Sequence, residues 1–322
     1  MLKLEISNIN VFVSVVSGMG IIIALRRFLR RKVPPLCTNV NSLYGKTVII
    51  TGANTGIGKE VSKELAKRKA RVILACRDVE KGRKAAREIF EETGTSCDVV
   101  VKELDLASFK SIRKFCQNIY DTEPQVNILI NNAGVFHPPY SLTEDGYETT
   151  FAVNYLGHFL LTNLLLSKLK DSARVIIVAS KLYEKAKIDF ENLNAEKGYK
   201  GFDAYKQSKL ANLLFAYELC KKVPRGVTVN SLHPGFVATE LPRHKLNNKI
   251  KKILYPIFAF LFMRTPVEGA QTVVHLATSS ELDSVSGGYF GDCKEEKLQP
   301  KALDDKVSAK LWELSLEMCD LN

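Results

Sequence analysis

The chain has no Cys-x-x-C, no His-Glu-x-x-His and only five histidines among 322 residues. Its seven cysteines, Cys37, Cys76, Cys97, Cys116, Cys220, Cys293 and Cys319, are odd in number. These absences argue against a disulfide framework and a zinc site, and no metal is expected. The thiols read as buried or surface cysteines of a reducing compartment. Repeats and low-complexity segments are also missing. The formal charge is +11, from 46 Lys and Arg against 35 Asp and Glu. No basic stripe with interleaved aromatics accompanies it, so nucleic acid is not an expected partner.

Charge itself is absent from residues 6–25, twenty in a row. As a helix that run spans about 30 Å, one hydrocarbon core. The block Arg26-Arg27-Phe28-Leu29-Arg30-Arg31-Lys32 follows, and residues 1–32 carry a net +5. A cleaved signal peptide has its positive charge before the apolar run and a small-residue cleavage site after it. Here the charge comes after, and no such site is visible. Residues 1–36 therefore read as an apolar membrane anchor with a basic juxtamembrane linker, ended by Pro34-Pro35. An interfacial or mitochondrial targeting helix is the alternative. As an anchor, the segment places residues 37–322 in the cytosol by the positive-inside rule.

Residues 37–322 have ample length and apolar content for one large α/β domain. Strand-like runs at 47–50, 72–75, 99–101, 128–130, 175–178 and 227–230 alternate with helix-like stretches at 57–69, 79–93, 108–121, 144–170 and 203–222. This alternation predicts a doubly wound parallel sheet, Rossmann-like, in a single domain.

The first strand leads into Thr51-Gly52-Ala53-Asn54-Thr55-Gly56-Ile57-Gly58 and then a helix with Val61 and Leu65 on one face. Glycines let the backbone turn tightly and approach a pyrophosphate, and the helix N-terminus offers free N–H groups. About 20 residues on, where an acid would bind a ribose 2′-hydroxyl, stands Ala75, with Arg77 just after. An arginine there suits a 2′-phosphate, so the coenzyme is read as NADP(H). The bland reading is a surface arginine paired with Asp78. Asp105, before Leu106, either bonds the adenine or caps a helix. Asn132-Ala133-Gly134 lies at the end of the fourth strand, where ligands of open α/β sheets bind.

Ser180 closes the fifth strand, and Tyr205 and Lys209, four apart, share one helix face. A phenol ordinarily titrates near 10. A neighbouring ammonium would lower that value and make Tyr205 a better proton shuttle. Lys209 could also hold the coenzyme ribose, Ser180 a substrate carbonyl, and Asn154 a water leading from Lys209 to solvent.

Together these residues, with Pro234-Gly235, resemble the short-chain dehydrogenase/reductase family over about residues 45–322. The resemblance implies that Tyr205 gives or takes the proton, Ser180 orients the carbonyl, Lys209 tunes Tyr205 and Asn154 anchors a proton relay. It also implies coenzyme contacts from Gly52, Asn54, Thr55, Gly56, Ile57, Gly58, Arg77, Asp105, Leu106, Asn132, Ala133, Gly134, Tyr205, Lys209, Pro234, Gly235 and Thr239. Ala179-Ser180 departs from the two serines common among near relatives. Ala75-Cys76-Arg77-Asp78, Asn154-Tyr155-Leu156-Gly157-His158, Ser208-Lys209-Leu210-Ala211-Asn212 and His233-Pro234-Gly235 are similar to the retinol dehydrogenase group. That group implies NADP(H), a membrane anchor and reduction of retinal and other lipid aldehydes. It implies an endoplasmic reticulum membrane with the catalytic domain cytosolic, or a mitochondrial membrane. A homo-oligomer is compatible with it. A steroid or isoprenoid-alcohol dehydrogenase, or a coenzyme-binding scaffold without turnover, are the rival readings. Between residues 241 and 266 a dense apolar cluster, including Phe258, Phe260, Leu261 and Phe262, either roofs a lipid pocket and touches the membrane or is core.

Overall fold

A computed structural model describes residues 37, 41–94, 97–238 and 258–322. The expected anchor, residue Thr239 and most of the 241–266 cluster lie outside the described residues. Among the described residues no helix is long and apolar enough to cross a membrane.

Eight strands form one sheet in the order β3-β2-β1-β4-β5-β6-β7-β8. They are β1 (Thr47–Thr51), β2 (Arg71–Cys76), β3 (Asp98–Glu103), β4 (Val126–Asn131), β5 (Leu169–Val178), β6 (Thr228–Leu232), β7 (Tyr289–Gly291) and β8 (Lys294–Glu295). All neighbours pair parallel except β7 with β8. The order reverses between β1 and β4, and ligands of open sheets bind at such a switch point. Helices cover both faces: α1 (Gly56–Lys67), α2 (Val79–Thr93) and α6 (Pro266–Thr278) on one, α3 (Phe109–Thr122), α4 (residues 149–165), α5 (Gly201–Leu219) and α7 (Asp305–Met318) on the other.

Side-chain alternation along each strand feeds two cores. On β1, Val48 and Ile50 face α1 and α6, whereas Ile49 faces α3 and α4, and all three are fully buried. Each such side chain contributes about 1.5–3 kcal/mol by leaving water. Helix ends follow local chemistry. Asp78 caps α2 by accepting from the Lys81 amide, and Ser108 caps α3. Thr265 and Glu268 form a reciprocal capping box at α6, with Pro266 in the first turn.

The helix expected over 144–170 is shorter. The buried Glu148 side chain accepts from the amides of Thr150 and Phe151 and starts α4 there, and the chain has already become β5 at Leu169. Within α4, residues Ala152–Leu156 widen into a π turn. β7, β8, α6 and α7 were not expected. The two strands are too short to show a period, although the capping box of α6 is visible in Thr265-Pro266-Val267-Glu268.

At the far end of the sheet, the guanidinium of Arg71 joins β2 to β3 and α3. It donates to Glu123 from Nε at 2.8 Å and from Nη2 at 3.0 Å, and to Asp98 at 2.8 Å. Burial pushes the Glu123 carboxyl up, but the bonds from Arg71 outweigh this and hold it below its ordinary value. A depressed carboxylate stabilises the fold above its unfolded pKa, about 4.3, and that gain is lost as pH falls through the lower folded value. The expected outcome is that Glu123→Gln is ~1–3 kcal/mol less stable than wild type at neutral pH. Urea titrations at falling pH should show that gap closing below about pH 4.

Candidate active site

The Thr51–Gly58 turn leaves the C-terminal end of β1 at the switch point. Gly52 and Gly56 take positive φ, +66° and +57°, where L side chains are strained. A Cβ on Gly58 would stand 2.5 Å from the Gly52 carbonyl oxygen and 2.7 Å from Asn132 Nδ2. Only glycine lets α1 press this closely on the turn. Thr55 precedes α1 without a side-chain cap, and no acid occupies the first turn of the helix. Its leading N–H groups are thus left to whatever approaches. Asn54 and Ile57 are half-buried beside them.

One hydroxyl ties this turn to the rest of the site. Thr51 Oγ1 accepts from the amides of Asn132 and Ala133, both at 2.9 Å, and Asn132 Nδ2 donates to the Thr51 carbonyl at 2.8 Å. His158 Nε2 lies 2.9 Å from the same Oγ1, and His158 Nδ1 lies 3.1 Å from the Asn154 carbonyl. A carbonyl only accepts, so Nδ1 carries the proton and Thr51 donates to Nε2. Burial pulls the His158 pKa down to about 4, so the ring is neutral at neutral pH.

Asn154 sits in the π turn, fully buried. Its Oδ1 accepts from the Val135 amide at 2.7 Å, and its Nδ2 donates to the Val135 carbonyl and to Ser208 Oγ, both at 3.0 Å. Ser208 in turn donates to the Tyr205 carbonyl at 2.8 Å. A Cβ on Gly134 would lie 3.3 Å from Asn154 Oδ1 and 3.8 Å from Lys209 Nζ. The missing side chain brings the end of β4, the π turn and α5 together.

Tyr205 and Lys209 project from the buried face of α5. Lys209 Nζ donates to the Val178 carbonyl at 2.9 Å and lies 5.8 Å from the Tyr205 ring centre. Phe136 stands edge-on to Tyr205, with ring centres 4.7 Å apart. Burial pushes the Tyr205 phenol up to about 12, against a bond to Ser180 that favours the ionised form. Burial also pulls Lys209 down to about 8. The expected lowering of the phenol is therefore not what this arrangement gives. The ammonium spends its bond on the Val178 carbonyl, and desolvation dominates both groups. Ser180 is half-buried at the end of β5, and its Oγ also accepts from the Leu182 amide at 3.3 Å.

The remaining expected residues ring this cluster. Arg77 is exposed past β2. Asp78 turns to the α2 cap and to Lys81 at 3.5 Å, and the bland pairing with Arg77 does not occur among the described residues. Asp105 is not a helix cap either. Its Oδ1 accepts from the Ala107 amide at 3.0 Å, while Ser108 caps α3. The Leu106 carbonyl packs on Gly157, where a Cβ would come within 2.5 Å. Pro234 and Gly235 follow β6, with Gly235 at φ +80°.

Sequence reasoning missed a support beneath that last turn. His233 Nδ1 accepts from the Gly235 amide at 3.2 Å, so its Nε2–H points to Glu296 Oε1, also at 3.2 Å. Glu296 Oε2 pairs with Lys181 at 3.0 Å, next to Ser180. Glu296 thus links the serine loop to the Pro234-Gly235 turn. Nothing in the spacing of His233, Glu296 and Lys181 signalled this. His158 stood in a quoted stretch, four residues after Asn154, but its role appears only when β1 is placed beside α4.

A tight glycine cradle, uncapped helix amides and a buried Tyr-Lys pair with a serine fit a nicotinamide dinucleotide and a carbonyl substrate. Among the described residues no group of His, Cys, Asp or Glu could hold a metal ion. Comparison with known proteins agrees with this chemistry. A family model described as short chain dehydrogenase matches residues 46–250. Retinol dehydrogenase 14 of Mus musculus is 50% identical over 285 residues, 85% of each chain. Retinol dehydrogenase 14 of Homo sapiens is 46% identical over 321 residues, covering 94% of this chain and 96% of that one. A crystal structure of an uncharacterized protein from Mycobacterium paratuberculosis, 33% identical, superposes with a TM-score of 0.71 over 89% of this chain and 98% of that one. Sequence, site and fold thus converge, and the chain belongs to the short-chain dehydrogenase family of NAD(P)(H)-dependent oxidoreductases.

Proposed function

We propose that the protein is a membrane-anchored, NADP(H)-dependent oxidoreductase that interconverts retinal and retinol, or a similarly lipophilic aldehyde and alcohol. The observation that carries this reading is the cluster of buried Asn154, Tyr205 and Lys209 with half-buried Ser180 beside the Thr51–Gly58 turn. A coenzyme scaffold without turnover has no need of such a cluster. The retinoid comes from the names of the relatives, which match along nearly their whole length.

In this reading the bound coenzyme supplies or accepts the hydride. The protein's own residues do the rest. Neutral Tyr205, with its phenol raised by burial, is in its proton-donating form at pH 7, as carbonyl reduction requires. Ser180 bonds the substrate oxygen and steadies its developing charge. Lys209, mostly an ammonium at pH 7, stabilises the phenolate left behind and holds the coenzyme ribose. Asn154 fixes Val135 and Ser208, and so keeps α5 in register with β4. Arg77 meets the coenzyme 2′-phosphate. Residues 1–36 hold the chain on the endoplasmic reticulum membrane with the domain in the cytosol, where lipid aldehydes dissolve close by.

Removing the phenol oxygen in Tyr205→Phe should cut kcat by ~10²-fold or more. Coenzyme binding, read by fluorescence titration, should be nearly unchanged, because the ring and its contact with Phe136 stay. The pH profile should carry the mark of Lys209. Its charge is present below about pH 8 and lost above it, so kcat/KM for retinal reduction should fall as pH rises through that region. Lys209→Arg keeps the charge at any pH and should abolish that limb, whatever it costs in absolute rate. For Arg77, a charge-assisted pair is worth roughly 1.5–3 kcal/mol, about ten- to a hundredfold in affinity. Arg77→Ala should raise the KM for NADPH by that factor and leave NADH unaffected. Equal use of both coenzymes by the wild type would refute the 2′-phosphate reading.

A further inference from the structure

We propose that the corner bearing Phe236, Phe258, Phe262 and Val267 docks on the surface of a bilayer containing anionic lipid, beside the mouth of the site. This rests on the reading of residues 1–36 as a membrane segment and of the substrate as lipophilic.

The rings form one exposed patch. Phe236 is 60% exposed, Phe258 45% and Phe262 52%. Phe258 lies 6.2 Å from Phe236 and 5.1 Å from Phe262 between ring centres. Neighbouring aromatics left in water are costly unless something covers them. The patch is fastened to the site. Phe236 follows Gly235, and its carbonyl accepts from the Arg264 amide at 2.7 Å. Arg264 Nη1 donates to the Pro234 carbonyl at 3.3 Å and pairs with Asp292 at 2.5 Å.

The point where the N-terminal segment joins the domain says what covers the patch. The Cys37 amide donates to Gln271 Oε1 at 2.6 Å, and Gln271 Nε2 donates to the Val267 carbonyl at 2.7 Å. The Gln271 amide therefore bridges residue 37 to the first turn of α6 at Val267, itself 41% exposed. Lys32 closes the basic block five residues earlier. Even fully extended, five residues span at most about 18 Å. Chain length alone therefore keeps Lys32, the last residue of the basic block, within that reach of Cys37. A basic block beside an uncharged run of twenty residues settles at an anionic lipid surface. A lipid surface within that reach meets a corner where three phenylalanines stand in water, and aromatic side chains favour the lipid–water interface. A lipophilic aldehyde leaving the bilayer there meets the Pro234-Gly235 wall directly.

The test uses the full chain in vesicles of phosphatidylcholine and phosphatidylserine whose acyl chains are brominated near the headgroup. Phe258→Trp places a reporter in the patch. Tyr120→Trp places one on an exposed position of α3 at the other end of the sheet, and the single native Trp312 is buried and sets the background. Bromine should quench the added emission of Phe258→Trp and spare that of Tyr120→Trp. An unquenched Phe258→Trp overturns the proposal, including one shielded by a second copy of the chain. In the same vesicles, Phe258→Glu combined with Phe262→Glu should lower kcat/KM for retinal by about tenfold or more, the scale of one lost buried aromatic. A short water-soluble aldehyde should be reduced as before. Equal loss for both aldehydes, or loss for neither, counts against docking as the delivery route. Quenching does not depend on turnover, so a quenched but inactive protein would leave docking standing and remove the oxidoreductase reading instead.

Discussion

The site depends on one threonine hydroxyl. Thr51 Oγ1 receives the amides of Asn132 and Ala133 and gives its proton to His158. Three segments far apart in sequence are held at that atom: the end of β1, the end of β4 and α4 just past its π turn. Each bond has a fixed direction, because the amides can only donate and the neutral imidazole must accept at Nε2. Burial keeps His158 neutral. Protonating it would turn its acceptor into a donor facing a hydroxyl already committed to accepting twice. The hydroxyl is fully buried, where an unmet polar group costs about 1–3 kcal/mol. The geometry of the switch point is therefore as stiff as its hydrogen-bond polarity.

Burial also sets the electrical character of the Tyr205 and Lys209 pair. Desolvation drives the two values apart, the phenol up to about 12 and the ammonium down to about 8, by penalising the phenolate and the ammonium alike. An anion entering the site would favour the ammonium of Lys209 and hold Tyr205 still more firmly in its neutral, proton-donating form. Arg77 is exposed past β2, and α1 starts without a side-chain cap.

The sheet was legible in the sequence wherever a stretch is buried and rich in β-branched residues, as in β1, β2 and the second half of β5. An element that barely completes one two-residue period carries no readable pattern. That is why β7 and β8, with three and two residues, went unseen. The helix expected from residue 144 failed for a different reason: its polar opening is a turn pinned by Glu148, and the end of the apolar run belongs to β5. Tyr205, Lys209, Ser180 and Asn154 were readable as a spaced motif, and the structure brings them together. His158, Ser208, His233 and Glu296 were not. Their partners are backbone amides and carbonyls, or side chains up to 115 residues away in sequence, which leave no pattern along the chain. The alternatives for Arg77 and Asp105 could be weighed only against their neighbours: Asp78 is taken by Lys81, and Ser108 already caps α3.

The last strand has a bearing on how copies of this chain would meet. β8 is two residues long, runs antiparallel to the rest and presents the exposed side chains of Lys294 and Glu295. A strand that short, reversed and charged gives an incoming backbone almost no ladder to extend. The sheet therefore terminates at this margin and does not template its own continuation. Self-assembly by edge-to-edge growth, a hazard of open sheets, is disfavoured at this margin.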